Sequence, residues 1–98
     1  NPKCTYYYAK YVDKKPRNDT RKAACKNSYW AFEYAKDIDK YPLENTRKAA
    51  CNDPENAYLY AKYVDKKFHE DTWKRVQKTE FEEKYNQFLN RIEKDKII

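Results

Sequence analysis

Apolar and small residues in this chain recur at i, i+3, i+4 and i+7, and the whole set returns every 26 residues. It is Ala57, Tyr60, Ala61 and Val64 in one place, Ala31, Tyr34, Ala35 and Ile38 one period earlier, and Thr5, Tyr8, Ala9 and Val12 before that. Such spacing marks one face of an α-helix. The alanines let a neighbouring backbone come close, and the tyrosines fill the wider gaps. Around these faces three stretches align without gaps: 8–25, 34–51 and 60–77. The first two agree at 12 of 18 positions and the first and third at 11 of 18. A short fixed period indicates units that stack on their neighbours to bury a continuous core.

Each unit divides into two helices. The first opens at Asn1-Pro2, Asn27-Ser28 and Asp53-Pro54. There Asn or Asp caps free amides, and proline is tolerated just inside the start. Pro16 and Pro42 restrict the residue before them and cannot sit inside a helix. The first helix is therefore expected to stop near Lys15, Tyr41 and Lys67. A shorter second helix then runs to about Cys25, Cys51 and Gln77. Its inner side carries Thr20, Ala23 and Ala24, then Thr46, Ala49 and Ala50, then the bulkier Phe68, Thr72 and Val76. Thr79 followed by Glu82 forms a capping-box pattern. Phe81, Tyr85, Phe88, Leu89 and Ile92 beyond it line one face of a longer helix, over about 79–94. The expectation is an all-α solenoid of three helix pairs, units 1–26, 27–52 and 53–78, closed by a longer C-terminal capping helix. All of 1–98 belongs to a single helical-repeat domain. The N-terminal end has no such cover within the chain, so upstream residues or another molecule must supply it. The start at Asn1, without Met, suggests a fragment.

Composition sharpens this picture. The chain has 11 Tyr but only three leucines, and no glycine. Its core must be built from rings and alanines, which tyrosine permits because its hydroxyl can reach a partner from inside. Without glycine there is no phosphate-cradling loop and no dinucleotide fingerprint, and turns must be made by other means. No apolar run is long enough to span a membrane.

The stretch Asp53, Pro54, Ala57, Tyr58, Tyr60, Ala61 and Val64 resembles short tandem α-helical repeats of uncharacterised bacteriophage and large DNA virus proteins, and the resemblance extends over residues 1–77. Unit two departs from it by opening with Asn27-Ser28. The resemblance implies a helical-repeat fold and a viral origin, and it brings no active site.

Nothing in the sequence assembles catalytic chemistry. His69 is the one histidine and stands beside Glu70 and Asp71, as a solvated residue near a helix start. Asp13, Asp39 and Asp65 recur once per unit. A catalytic carboxylate is needed once, whereas a structural one is needed in every unit, so these read as ion-pair or turn residues. Asp37 and Asp39 are too close in sequence to face each other on a helix. Cys4, Cys25 and Cys51 match no zinc spacing. As free thiols they fit a reducing compartment, so the expected location is cytoplasmic, the host cytoplasm if the protein is viral. No enzyme and no cofactor is expected.

Charge and aromatic content remain as functional clues. The net charge is +6, and residues 1–26 hold eight basic and two acidic side chains, which accounts for the whole excess. Lys10, Lys36 and Lys62, then Lys14, Lys40 and Lys66, then Lys22, Lys48 and Lys74 form three ladders, of which the first two should share a helix face. With Arg21 and Arg47 they are the candidates for contacting the phosphates of a nucleic acid. Lysine is also the simplest way to keep a helix face in water. Exposed Tyr and Trp near Arg is the composition of protein-binding hot spots, and Tyr7, Tyr11, Trp30, Tyr41, Tyr63 and Trp73 are the candidates. The leading expectation is a non-catalytic protein-binding module, such as a virus-encoded modulator or inhibitor of a host protein. The alternatives are a nucleic-acid-binding protein using the lysine ladders, or a purely structural repeat segment of a larger protein.

Overall fold

The computed structural model describes residues 1–97. It is all-α, with three helix pairs and a longer final helix, and no strand occurs among the described residues. The first helices of the pairs are α1 (Pro2–Tyr8), α3 (Ser28–Tyr34) and α5 (Pro54–Tyr60). The second helices are α2 (Asn18–Ala24), α4 (Glu44–Ala50) and α6 (Glu70–Val76), and α7 spans Glu82–Ile97. First helices pack side by side, α1 on α3 and α3 on α5, while α2 also rests on α3, α4 on α5 and α6 on α7. The product is a flat slab of 40 × 31 × 17 Å.

The expected caps are present. Asn1 accepts hydrogen bonds from the amides of Lys3 and Cys4, Asn27 from those of Tyr29 and Trp30, and Asp53 from that of Asn56. The first helices end earlier than the prolines suggested. Each widens into a π-helical turn, over Ala9–Asp13, Ala35–Asp39 and Ala61–Asp65. Lys14, Lys40 and Lys66 follow in the left-handed conformation, their amides bonded to Ala9, Ala35 and Ala61. Lysine does here what glycine commonly does. A Cβ makes that conformation costly, by roughly 1–2 kcal/mol. Pro16 and Pro42 therefore lie in the connection, and the second helices start after Arg17 and Leu43. Phe68 occupies the proline position in unit three. It is exposed rather than on the inner side of α6, because the connection carries it clear of the core.

Burial follows the repeat. Tyr6, Ala9, Ala24, Tyr34 and Ile38 make one cluster, and Phe32, Ala35, Ala50, Tyr60 and Val64 make its equivalent one unit on. A third contains Ala57, Ala61, Val76, Tyr85 and Phe88. Tyr85 thus takes the place of Tyr34 and Tyr60, so α7 continues the row of first helices with a 25-residue step rather than breaking from it. Its cap is shifted by one residue from the expected box. Thr79 Oγ1 accepts from the Phe81 amide, and Glu82 reaches back to the amide of Lys78. Tyr8 does not join its equivalents. Its relative exposure is 53%, against 0% for Tyr34 and Tyr60, because no helix pair lies on its side of the stack.

Two polar rungs tie each unit to the next. The second helices have Arg17 and Leu43 at their N-caps, neither of which caps with its side chain. A tyrosine of the following unit supplies the missing group. The Tyr60 hydroxyl accepts from the Leu43 amide at 3.1 Å, donates to the Leu43 carbonyl at 3.0 Å and lies 2.7 Å from Thr46 Oγ1. Tyr34 does the same at Arg17 and Thr20, and Tyr85 at His69 and Thr72. One otherwise orphaned amide is satisfied at each helix start. The second rung is a two-point ion pair. Arg21 grips Asp39, and Arg47 grips Asp65, with closest approaches of 2.6 Å. Asp39 and Asp65 are thus ion-pair residues, as the repetition suggested, whereas Asp13 has only Arg17 of its own unit at 3.8 Å. In unit three Trp73 replaces the arginine and packs on Tyr85 with ring centroids 5.4 Å apart.

Breaking a buried pair leaves one charge stranded, so Arg47→Ala should destabilise by about 3–5 kcal/mol. Arg47→Met with Asp65→Leu should recover most of that loss, since it removes both charges. Urea titrations of the two variants measure the difference. Tyr60→Phe keeps the ring and loses the cap, which should cost about 1–2 kcal/mol by the same measurement.

Alkaline pH tests the tyrosines themselves. Burial holds Tyr60 and Tyr85 above their ordinary value of 10.0. An acid whose folded pKa is raised stabilises the fold fully below the unfolded value, and loses that contribution as pH climbs from there towards the folded value. The urea midpoint should therefore hold below the ordinary tyrosine value and fall above it. These two phenols should ionise with unfolding, seen as ultraviolet absorbance.

Candidate aromatic and lysine surface

The first helices also carry rings that meet one another along their row, some buried and some exposed. Position by position, Tyr6, Phe32 and Tyr58 are one repeat apart, and Tyr11 and Tyr63 are two repeats apart with Asp37 between them. Packing the first helices side by side joins these rings into a stripe. Tyr11 stacks on Tyr7 at 6.0 Å between centroids, and Tyr7 meets Trp30 at 5.9 Å. Trp30 touches Tyr29 at 4.9 Å, Tyr29 meets Phe32 at 6.4 Å, and Phe32 meets Tyr63 at 6.3 Å. Further along, Tyr58 stacks on Phe81 of the segment leading into α7. Tyr7, Tyr11, Tyr29 and Tyr63 are exposed, whereas Trp30 is partly covered by Tyr6 and its cluster.

The lysines of the first ladder lie along the same stripe. Lys10 stands over Tyr6 and Tyr11, Lys36 over Phe32, and Lys62 over Tyr58 and Tyr63, at 5.3–5.8 Å from ring centroids. Carboxylates sit among them. Lys36 pairs with Glu33 at 3.1 Å, and Asp37 lies 3.9 Å from Lys10 and 4.0 Å from Lys36. Asp37 also accepts the Tyr6 hydroxyl at 2.5 Å. Burial, then Asp37, drives the Tyr6 phenol far above its ordinary range. Asp37 and Asp39 diverge completely, one to this stripe and the other to Arg21.

Of the six aromatic candidates, the stripe brings Tyr7, Tyr11, Trp30 and Tyr63 together. Tyr41 lines a cleft with Pro42 and Lys66 that Lys36 and Tyr63 of the stripe also line. Trp73 belongs to the core around Tyr85. Tyr29 and Phe32 were missed by sequence reasoning, although their places on α3 follow from its helical spacing.

The phosphate-contact candidates are scattered. Arg21 and Arg47 point inward and are spent on Asp39 and Asp65. Lys14, Lys40 and Lys66 stand in the left-handed turns that end the first helices, and Lys10 still lines one cleft with Lys14 and Lys40, and Lys36 another with Lys40 and Lys66. Lys48 is paired with Glu44 and Lys74 with Glu70, each at 3.0 Å on the second helices, and Lys22 lies on that layer too. Lysines gather at a cleft of about 420 Å³ between the first two units, rimmed by Lys10, Lys14, Lys15 and Lys40 with Asp37, and Lys36, Lys40 and Lys66 line the equivalent cleft one unit on.

Among the described residues no group of His, Cys, Asp or Glu could hold a metal ion, and no helix is long and apolar enough to cross a membrane. His69 caps α6, its Nδ1 accepting from the Asp71 amide. All three cysteines are free, Cys4 exposed and the equivalent Cys25 and Cys51 half-buried. Comparison with known proteins finds no matching family model, no matching curated protein and no matching solved structure.

Removing the carboxylate beside Tyr6 checks the electrostatics of the stripe. In Asp37→Asn the Tyr6 hydroxyl faces a neutral amide in place of a carboxylate, so the stronger hydrogen bond and the negative charge that favour its neutral form are both removed. Its ionisation should move to lower pH, as followed by absorbance of the phenolate. An unchanged titration would mean that burial alone sets it.

Proposed function

We propose that the chain is a non-catalytic protein-binding module, and that the aromatic stripe across α1, α3 and α5 is its docking surface. The observation that supports this is the run of rings from Tyr11 to Tyr29, joined to the exposed Tyr63 through the buried Phe32. Tyrosines present large, rigid area with a polar tip, and such residues dominate binding energy where a partner excludes water. The lysines over the rings add cation–π contacts. Their pairing with Glu33 and Asp37 leaves the centre of the stripe near neutral, which suits a protein surface better than a phosphate chain. If the likeness to viral repeats carries through, such a module would act by covering a surface of a host protein.

One observation favours nucleic acid instead. The cleft between units one and two has four lysines against one carboxylate, in the part of the chain that holds the net positive charge. Capture from lysate with and without nuclease, followed by binding measurements on the purified partner, separates the readings. For a protein partner, capture survives nuclease. Tyr7→Ala, Tyr11→Ala or Tyr63→Ala should each weaken binding by about 2 kcal/mol or more where the ring is an anchor, with the helical fold unchanged by circular dichroism. Lys14→Gln and Lys22→Gln should do little. Nuclease-sensitive capture, with affinity falling steeply as salt rises, would establish the other reading. Absence of either partner would leave the stack as a structural spacer.

A further inference from the structure

The two lysine-lined clefts are one feature repeated, and each lies between units that are described on both sides. Lys10, Lys14 and Pro16 of the first recur as Lys36, Lys40 and Pro42 of the second. The opposite wall contributes Lys40 to the first and Lys66 to the second, so Lys40 lines both. Where the first cleft has Lys15 and Asp37, the second has the exposed rings of Tyr41 and Tyr63. Lys10 lies near Asp37 and Lys36 is paired with Glu33. Lys14, Lys15, Lys40 and Lys66 are exposed, and none has a carboxylate within ion-pair distance among the described residues. Three of these four occupy the left-handed turns, with φ of 55°, 61° and 57°. Glycine takes that conformation without the steric cost of a Cβ, so the turn itself does not call for lysine. What lysine adds at each turn is a cation at a cleft.

We infer that the two clefts receive carboxylates from an extended acidic segment of a partner protein, with an acidic residue at every third position. The inference rests on the protein-binding reading and specifies the partner's chemistry. Equivalent points on helices packed side by side recur about every 8–10 Å. A segment in the polyproline conformation advances about 9 Å in three residues, so acids at every third position fall into step with successive clefts. Pro42, Tyr41 and Tyr63 give the second cleft the aromatic walls against which such segments dock. Lys10, Lys36 and Tyr63 belong to the clefts and to the aromatic stripe alike, so the segment lies along an edge of the docking surface. A phosphate chain fits less well. It carries a charge at every nucleotide and would pass Asp37 and Glu33 as well as the lysines, whereas a peptide can place its acids at the clefts alone.

The test titrates the whole chain, isotope-labelled and at low salt, with a capped peptide of four Glu-Pro-Pro triplets. Resonances of Lys14, Lys40, Tyr41 and Lys66 should shift together and saturate. A peptide of the same composition with its four glutamates in one block should bind about fivefold more weakly. Lys40→Gly removes a cation from both clefts and relaxes the left-handed turn. Its urea midpoint should be no lower than the parent's, while its affinity for the triplet peptide falls about fivefold; Lys14→Gln, at one cleft, should change affinity within about twofold. Equal or tighter binding of the block peptide would overturn the inference, because the surface would then read charge without register. So would the absence of shifts at these residues. An oligothymidine of four phosphates that binds more tightly than the triplet peptide, and depends on Lys40 in the same way, would make a phosphate chain the occupant. The titration needs no captured partner, so it can fail while the protein-binding reading holds. A captured protein that is released by Tyr11→Ala but indifferent to Lys40→Gly would leave the stripe as the docking surface and remove the clefts from it.

Discussion

The structure depends on a hydroxyl that arrives from the next unit. A seven-residue helix is too short to hold itself together in water, and α2 and α4 begin at residues whose side chains make no cap. They form because a tyrosine on the adjoining first helix places its oxygen at their first amide and buries its ring beneath them. The same group therefore contributes apolar area and satisfies the backbone. A leucine there could do only the first, which explains a core rich in tyrosine and poor in leucine. The arginine-to-aspartate grip beside it fixes register, since a two-point ion pair tolerates little sliding.

These rungs also account for the charge pattern. Several basic residues that look like surface charge are internal fittings, and others are matched by acids one turn away. What remains unpaired gathers around the first unit and its cleft. The aromatic stripe lies across the units and is nearly balanced in charge where Glu33 and Asp37 enter it. Two kinds of surface thus arise from one repeat, and they are separated because first helices and second helices form different layers.

Much of the fold was legible in the sequence because it is local or periodic. The caps at Asn1, Asn27 and Asp53, the i, i+3, i+4 faces and the 26-residue step all follow from neighbouring residues. What was not legible depends on partners distant in sequence. Tyr8 and Tyr34 have the same local setting, yet one is exposed and the other buried, because burial belongs to the interface and not to the residue. Arg21 meets Asp39 across 18 positions, beyond the reach of any helical spacing. Tyr85 escaped the repeat because its step is 25. The helix ends were misplaced because a left-handed lysine carries no signature, whereas a glycine would have announced the turn. For the stripe, Tyr7, Tyr11, Trp30 and Tyr63 could be singled out as large aromatics at variable positions. That they join through Tyr29 and Phe32 required knowing how α1, α3 and α5 lie together.

Each rung sits between units and not within one, and this sets how the stack comes apart. A middle unit is locked on both sides, so releasing it breaks two tyrosine caps. In a linear array, stability is then a sum over joints. Units one and two are joined by Tyr34 with the pairing of Arg21 and Asp39, and units two and three by Tyr60 with Arg47 and Asp65. The joint at α7 has Tyr85 against Trp73 and no ion pair. Changing a side-chain charge thus acts on the first two joints, while α7 is held by rings and a hydroxyl alone.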